Sequence, residues 1–253
     1  MCKVMRRFFC SPSSINNRQA LLGKEESNHI RTVLRLKAGS LIELFDGSGL
    51  VYTAEILALG HRIKVKIIGQ DRPKSLKISS LWLGQANLKG KKIDELIPSC
   101  NELGVDVFAL LESSRCQGRL DKARLLKKQE RWRRLVEASC KQCGRTGGME
   151  IASAQGFKQA IRSMGPPDAS ELRIIFWEEE TDLTLHDLDF SQKYKIIRMI
   201  TGPEGGFTAE EIELAKSYGW QSVSLGKQVL KAVNAAVTAT ALVQFLGGNL
   251  GRL

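Results

Sequence analysis

From Leu76 onward, short apolar runs alternate with helix-periodic stretches, and this alternation restricts the chain to a mostly parallel sheet covered by helices. Ile78–Leu83, Val107–Leu111, Ile174–Trp177, Lys195–Ile200 and Ser222–Leu225 read as strands. A helix opens at Ile93-Asp94-Glu95-Leu96-Ile97 and ends near Gly104, and a long basic helix spans about Ala123 to Cys143. In it Trp132, Leu135, Val136, Ser139, Cys140 and Cys143 recur at three- and four-residue spacing, which marks a buried stripe. A last, Ala-rich helix runs from about Val233 to Phe245. No internal repeat or low-complexity segment interrupts the pattern.

The first 70 residues read differently, as a small, mainly β unit. Leu41–Phe45 and Leu50–Ile56 flank Asp46-Gly47-Ser48-Gly49, and Asp-Gly between apolar strands signals a hairpin. Ile63-Lys64-Val65-Lys66-Ile67 alternates apolar and basic side chains, so one face packs and the other meets solvent. Ahead of them Glu26–Arg35 reads as a short helix with Ile30, Val33 and Leu34 on its apolar side and Arg31, Arg35 and Lys37 opposite. Several strands and one short helix in this length point to a small barrel. The polar, proline-containing Gln70–Ser75 is the expected linker, dividing the chain into domains 1–72 and 75–250.

The formal net charge is +11, and it is unevenly spread. Lys+Arg against Asp+Glu stands at 13 to 6 over residues 1–75, 15 to 9 over 76–150 and 10 to 12 over 151–253. A basic first 60% fits a polyanion-binding surface apart from another function, although charge alone does not choose RNA over DNA or a small anion. Arg119–Arg134 alone holds eight cations, a solvated helix face or a phosphate-contacting strip. No apolar stretch approaches a membrane span, no apolar segment follows the basic N-terminus, and six scattered cysteines fit a reducing compartment. The expectation is a soluble, cytoplasmic protein. Cys140-x-x-Cys143 has no second pair at zinc spacing, and His29, His61 and His186 share no motif, so no metal is expected.

Two strands run straight into glycine turns. Ile200 is followed by Thr201-Gly202-Pro203-Glu204-Gly205-Gly206-Phe207, and Ser224-Leu225 by Gly226 and a short loop to Lys231. Thr208 and Glu211 have the spacing of a capping box for the helix that follows the first turn. Ligands of open α/β sheets bind at the carboxyl ends of strands, and glycine lets the backbone approach them closely. Neither turn is a phosphate-cradling fingerprint, so backbone contact with an adenine edge and a ribose is the functional reading, and plain tight turns the structural one.

Ile200–Phe207 followed by Ser224-Leu225-Gly226 and Leu230 resembles the RsmE family, the 16S rRNA (uracil-N3) methyltransferases of the SPOUT superfamily. The likeness covers nearly the whole chain. Arg6-Arg7-Phe8-Phe9, Leu34–Gly39 and Leu44–Gly47 resemble its N-terminal PUA-like domain; Gly84-Gln85-Ala86, Lys89-Gly90, Glu102–Val105, Glu130-Arg131-Trp132 and Gln142–Arg145 resemble its middle. The resemblance implies an α/β SPOUT domain with a trefoil knot, a small PUA-like β-barrel, a homodimer, S-adenosylmethionine as cofactor, and 16S rRNA or the 30S subunit as partner. It assigns the cofactor to Thr201, Gly202, Pro203, Gly205, Gly206, Ser224, Leu225, Gly226, Val229 and Leu230. Arg6, Arg7, Arg31, Arg35 and Arg115 are the expected RNA contacts.

The chain departs from the family at three acidic positions. The family's Leu-Arg-Thr-Glu-Thr-Ala is Leu230-Lys231-Ala232-Val233-Asn234-Ala235 here, its Ser-Glu-Arg is Ser113-Ser114-Arg115, and its Glu-Gln-x-Gly-Arg is Lys141–Arg145. Its Gln-Lys is Pro98-Ser99. Methylating uracil N3 requires loss of the N3 proton, which a base or an electropositive site favouring the anion would assist. Lys231 and Arg145 are the candidate cations; Glu204 is the candidate carboxylate, with backbone capping as its structural alternative. Two other functions stay open: a relative that binds RNA without turnover, and a SPOUT methyltransferase acting on a different nucleotide.

Overall fold

The computed structural model describes residues 5–73, 77–117 and 122–251; Lys74-Ser75 of the expected linker and Arg119 of the basic stretch lie outside them. The chain divides into two compact units. The described residues up to 73 together with Glu137–Gly148 form the first, and the rest the second.

The first unit contains β1 (Arg7–Phe9), β2 (Ile15–Asn16), β3 (Gln19–Leu21), α1 (Lys24–Asn28), β4 (Leu41–Phe45), β5 (Val51–Leu59) and β6 (Ile63–Asp71). Its six strands are ordered β1-β4-β5-β6-β3-β2, antiparallel except for the β1–β4 pair. β1 and β2 stand at the two ends of this order and are not paired with each other among the described residues. The Asp-Gly hairpin forms as its sequence requires. Asp46 accepts the Ser48 amide (2.9 Å), its hydroxyl (2.7 Å) and the Tyr52 hydroxyl (3.0 Å), and Gly47 and Gly49 take φ of 83° and 92°. Inward residues Ile63, Val65 and Ile67 join Phe8, Ile30, Ile42, Leu44, Ala54 and Ile56 in one core.

The short helix is not a single α-helix. After α1 the chain widens into a π-helical turn, His29–Val33, in which the Leu34 amide reaches the His29 carbonyl (3.0 Å). One extra residue per turn shifts the side-chain phase, so Ile30 stays buried while Val33, expected on the apolar face, is 66% exposed.

The second unit holds β7 (Ser80–Ala86), α2 (Lys92–Glu102), β8 (Val107–Glu112), most of α3 (Lys122–Cys143), β9 (Glu150–Ile151), β10 (Gln155–Gly156), α4 (Phe157–Ser163), β11 (Glu171–Phe176), β12 (Ile196–Thr201), α5 (Ala209–Ser217), β13 (Gln221–Val223) and α6 (Ala232–Leu246). Every ladder in its sheet is parallel, in the order β10-β8-β7-β12-β11-β13 with β9 beside β8. The strand at Ser222–Leu225 stops at Val223, and the sequence reading assigned nothing to α4 and the two-residue β9 and β10. Trp132 pins α3 to α2 by donating its indole N–H to Asp94 (2.7 Å), and Arg131 reaches the other carboxylate oxygen (3.1 Å). The buried stripe of α3 holds through Cys140 but not at Cys143, which is exposed in the helix's last turn.

A buried ion network fastens the sheet to its helices. Arg173 on β11 is 2% exposed and donates to the carbonyls of Gly165 (2.6 Å), Met164 (3.1 Å) and Tyr218 (2.9 Å) just past α4 and α5. It shares Glu171 with Arg198 of β12. Burial opposes ionisation of Glu171, but hydrogen bonds and charge from Arg173 and Arg198 outweigh it and hold the carboxyl below its ordinary value of 4.5. The stability it contributes is therefore complete above the unfolded-state value and is lost as pH falls through the lower folded value. Glu171→Gln is expected to cost about 2 kcal/mol at pH 7. Urea unfolding should show that deficit shrinking steadily below pH 4.5; a pH-independent deficit would refute the electrostatic account.

Candidate functional site

Because β12 and β13 both run parallel to β11 and flank it, their carboxyl ends emerge at one edge of the sheet. The three loops that follow line a cavity of about 690 Å³, a size that suits a nucleoside-sized ligand. β12 supplies Thr201–Glu204 and Gly206, β11 supplies Phe176, Trp177 and Glu178, and the chain after β13 supplies Ser224 through Ala235. Lys92 and Glu95 of α2 complete the wall.

The first turn is held in place by a fully buried glutamine. Gln85 pairs in register with Thr201 and accepts its hydroxyl (2.7 Å), and its amide donates to the Gly202 carbonyl (3.0 Å). Within the turn the Gly206 amide returns to the Pro203 carbonyl (3.1 Å). Phe207 then buries against Phe157, with ring centroids 5.2 Å apart, and anchors the entry to α5. The capping box forms: Thr208 accepts the Glu211 amide (3.3 Å) and Glu211 the Thr208 amide (3.0 Å). Glu211 also takes the Ser114 amide (2.8 Å) and hydroxyl (3.0 Å) from the loop after β8.

Most of the residues singled out in the sequence converge here. Thr201, Gly202, Pro203, Gly206, Ser224, Leu225, Gly226, Val229, Leu230, Lys231 and Glu204 all line the one cavity. Gly205 does not; its carbonyl faces outward and accepts the Arg115 guanidinium (3.0 Å). Glu204 is engaged: it accepts the Lys92 ammonium (2.8 Å) and the Lys89 amide (3.1 Å). Burial alone would raise its pKa, yet these hydrogen bonds prevail and hold it below its ordinary value of 4.5. It braces the turn against the start of α2. By contrast, the backbone groups of Leu225, Val229 and Leu230 make no hydrogen bond within the described residues, and Val229 is 80% exposed.

The cations singled out as RNA contacts are scattered. Arg7 pairs with Glu43, donates to the Gly144 carbonyl and lies over the Phe45 ring, so it serves the packing of the first unit. Arg6 and Arg35 are exposed, and Arg31 is exposed and donates to the Gly60 carbonyl (3.2 Å) and the Asn28 side-chain oxygen (3.4 Å). Arg145 also belongs to the first unit, where its Nε donates to the Gly147 carbonyl (3.1 Å). Sequence reasoning missed Trp177, Glu178, Lys92 and Glu95. The acidic run Glu178-Glu179-Glu180 directly after a strand was the available signal for the second of these, since that strand ends at the ligand-binding edge. Among the described residues no group of three His, Cys, Asp or Glu side chains could hold a metal ion, and no helix is long and apolar enough to cross a membrane.

Comparison with known proteins agrees with this arrangement. Residues 74–244 match the profile of a family described as an RNA methyltransferase domain, and residues 22–68 match one described as an RNA methyltransferase PUA domain. The Ribosomal RNA small subunit methyltransferase E of Buchnera aphidicola subsp. Schizaphis graminum is 29% identical over 235 residues, covering 92% of this chain and 93% of the relative. A putative methyltransferase from Legionella pneumophila, solved in complex with the bound cofactor SAM, superposes with a TM-score of 0.84 at 28% identity, covering 96% of this chain and 98% of that one. The Ribosomal RNA small subunit methyltransferase E of Neisseria gonorrhoeae, solved bound to S-adenosyl methionine, gives 0.81 at 28% identity with the same coverage.

A residue with a side chain in place of Gly206 would have to displace the end of the Glu178 side chain and adopt a left-handed backbone. The φ of Gly206 is +68°, and a Cβ there would overlap the Glu178 carboxylate. Gly206→Ala is expected to destabilise the protein by about 2 kcal/mol, from left-handed backbone strain plus the displaced carboxylate. Chemical denaturation tests it, and an unchanged midpoint would contradict the packing described.

Proposed function

The chain belongs to the family of RNA methyltransferases, and we propose that it methylates N3 of a uridine in 16S rRNA, using S-adenosylmethionine. The observation that carries this reading is the convergence of the two glycine turns and the 225–230 loop on one cavity. The solved relatives that carry S-adenosylmethionine span nearly the full chain at TM-scores of 0.84 and 0.81.

The residues present fit the cofactor. Leu225, Val229 and Leu230 offer backbone groups without internal partners, as an adenine edge and a ribose require, and Gly202, Gly206 and Gly226 bring the chain close without side chains between. Thr201 and Ser224 complete the set; Gly205 acts from outside by bracing Arg115. When bound, the cofactor supplies the methyl group on a sulfonium. The chain's own residues must seat the uridine, exclude water and stabilise negative charge as the N3 proton leaves. Lys231, exposed on the rim at the start of α6, is the cation we assign to that charge.

The same reading includes a SPOUT-type knot at the cofactor site. It is supported by β12, late in sequence, lying between the earlier strands β7 and β11. The basic first unit would grip rRNA through Arg6, Arg31 and Arg35, with the 30S subunit as substrate and the cytoplasm as location. A homodimer is supported by α6, whose Leu242 and Phe245 lie one turn apart and are 41% and 62% exposed. Against turnover, Lys231, Val233 and Asn234 stand at cavity positions where the resemblance leads one to expect Arg, Glu and Thr. An RNA-binding relative without activity is therefore the second reading.

Incubation with unmodified 30S subunits and methyl-labelled S-adenosylmethionine separates the readings. Label in 3-methyluridine is expected. Label in another nucleotide would move the target, and cofactor binding by calorimetry with no label in any RNA would favour the silent relative. Lys231→Ala should slow transfer about 100-fold with cofactor affinity unchanged.

A further inference from the structure

Removing a proton from uracil N3 needs an acceptor, and the cavity offers few. Among the described residues its wall holds no histidine, cysteine or tyrosine; the ionisable groups there are the carboxylates of Glu95, Glu178 and Glu204 and the ammonium groups of Lys92, Lys227 and Lys231. An ammonium has no lone pair with which to accept a proton. The Thr201 hydroxyl is buried and donated to Gln85. The segment 231–234, which lines the cavity at the start of α6, brings an ammonium and an amide but no carboxylate.

One of the three carboxylates is committed by hydrogen bonds, and another sits against the first glycine turn. Glu204 is held between Lys92 and the Lys89 amide, and hydrogen bonds that favour its anion make it a weaker proton acceptor. Glu178 is exposed and has no hydrogen bond or ion pair among the described residues, but its carboxylate fills the space beside Gly206, inside the cradle that the glycine turns form for the cofactor. Glu95 shares that exposure and that lack of partners but stands away from the glycine turns: it lies one turn after Lys92 on the same face of α2, at the cavity wall, and no hydrogen bond or ion pair engages its carboxylate among the described residues.

The geometry points to Glu95 as the group that takes the N3 proton, an assignment that rests on the uridine reading above. The N3–H bond breaks as its proton passes to a Glu95 oxygen. The electron pair left on N3 forms the new bond to the methyl carbon, and the C–S bonding pair stays with sulfur. The carboxylate's negative charge and the sulfonium's positive charge disappear together, so atoms and charge balance. Lys231 meets the negative charge that builds on the uracil while the proton is in transit. The catalytic carboxylate is thus delivered from α2 rather than from the segment that opens α6.

Glu95→Gln and Glu95→Asp, compared with wild type in single-turnover methylation of unmodified 30S subunits, test this. Glu95→Gln is expected to slow transfer about 100- to 10,000-fold, with calorimetric affinity for S-adenosylmethionine and the melting temperature unchanged. Glu95→Asp should recover much of the rate, and the fall of the wild-type rate on the acid side of its pH profile should vanish in Glu95→Gln. A Glu95→Gln rate close to wild type overturns the assignment, as does a loss of cofactor affinity that matches the loss of rate. A wild-type protein that binds cofactor and labels no uridine fails the uridine reading itself and takes this assignment with it.

Discussion

The pairing of β7 with β12 is the constraint on which the site depends. It sets Gln85 directly beside Thr201, and the buried Gln85 amide then spends both its ends on the turn, accepting the Thr201 hydroxyl and donating to the Gly202 carbonyl. A buried amide left unsatisfied would cost about 1–3 kcal/mol, so the first glycine turn has one economical position relative to the sheet. A one-residue slip would turn Gln85 to the other face and leave Thr201 and Gly202 without partners. Phe207 and the Thr208–Glu211 capping box fix the far end of the turn, so it is held on both sides.

Charge is distributed around that turn in layers. The buried Arg173–Glu171–Arg198 network ties the sheet to the ends of α4 and α5 and takes no part in lining the cavity. Glu204 braces the turn to α2 through Lys92, and Arg115 braces its outer side through the Gly205 carbonyl. Groups spent on bracing are poor candidates for chemistry, because their lone pairs and protons already have partners. Glu95 and Lys231, which have no side-chain partner among the described residues, sit on the opening turns of α2 and α6 at the cavity wall. The architecture thus separates rigid support from adaptable side chains, as a site that must seat both a cofactor and a base requires.

Several elements were legible because their signals are local. The Asp-Gly hairpin, the alternation of Ile63–Ile67, the capping box at Thr208 and the long parallel strands rest on turn chemistry and side-chain period, which neighbouring residues settle among themselves. Val33 was misplaced because a π turn changes the helical phase, and nothing in the local pattern announces it. Cys143 fits the spacing of a buried stripe, yet α3 reaches its end there and the stripe runs out into solvent. Arg7 reads as a free cation beside aromatics, but Glu43 and the Gly144 carbonyl lie 36 and 137 positions away in the chain and claim it.

The sequence by itself determined the parallel α/β sheet and the two glycine turns, since each follows from periodicity or from glycine's backbone freedom. It also marked most of the cavity wall, because loops after parallel strands share one edge wherever those strands pair. Which side chains act and which merely hold was decided only by the tertiary structure. Strand order brought Glu178 between the two turns, register set Gln85 beneath Thr201, and helix packing presented Lys92 and Glu95 to the cavity. Glu204 illustrates the difference: its place in the turn could be read from its neighbours in sequence, but its engagement by Lys92 depends on a contact across 112 residues of chain.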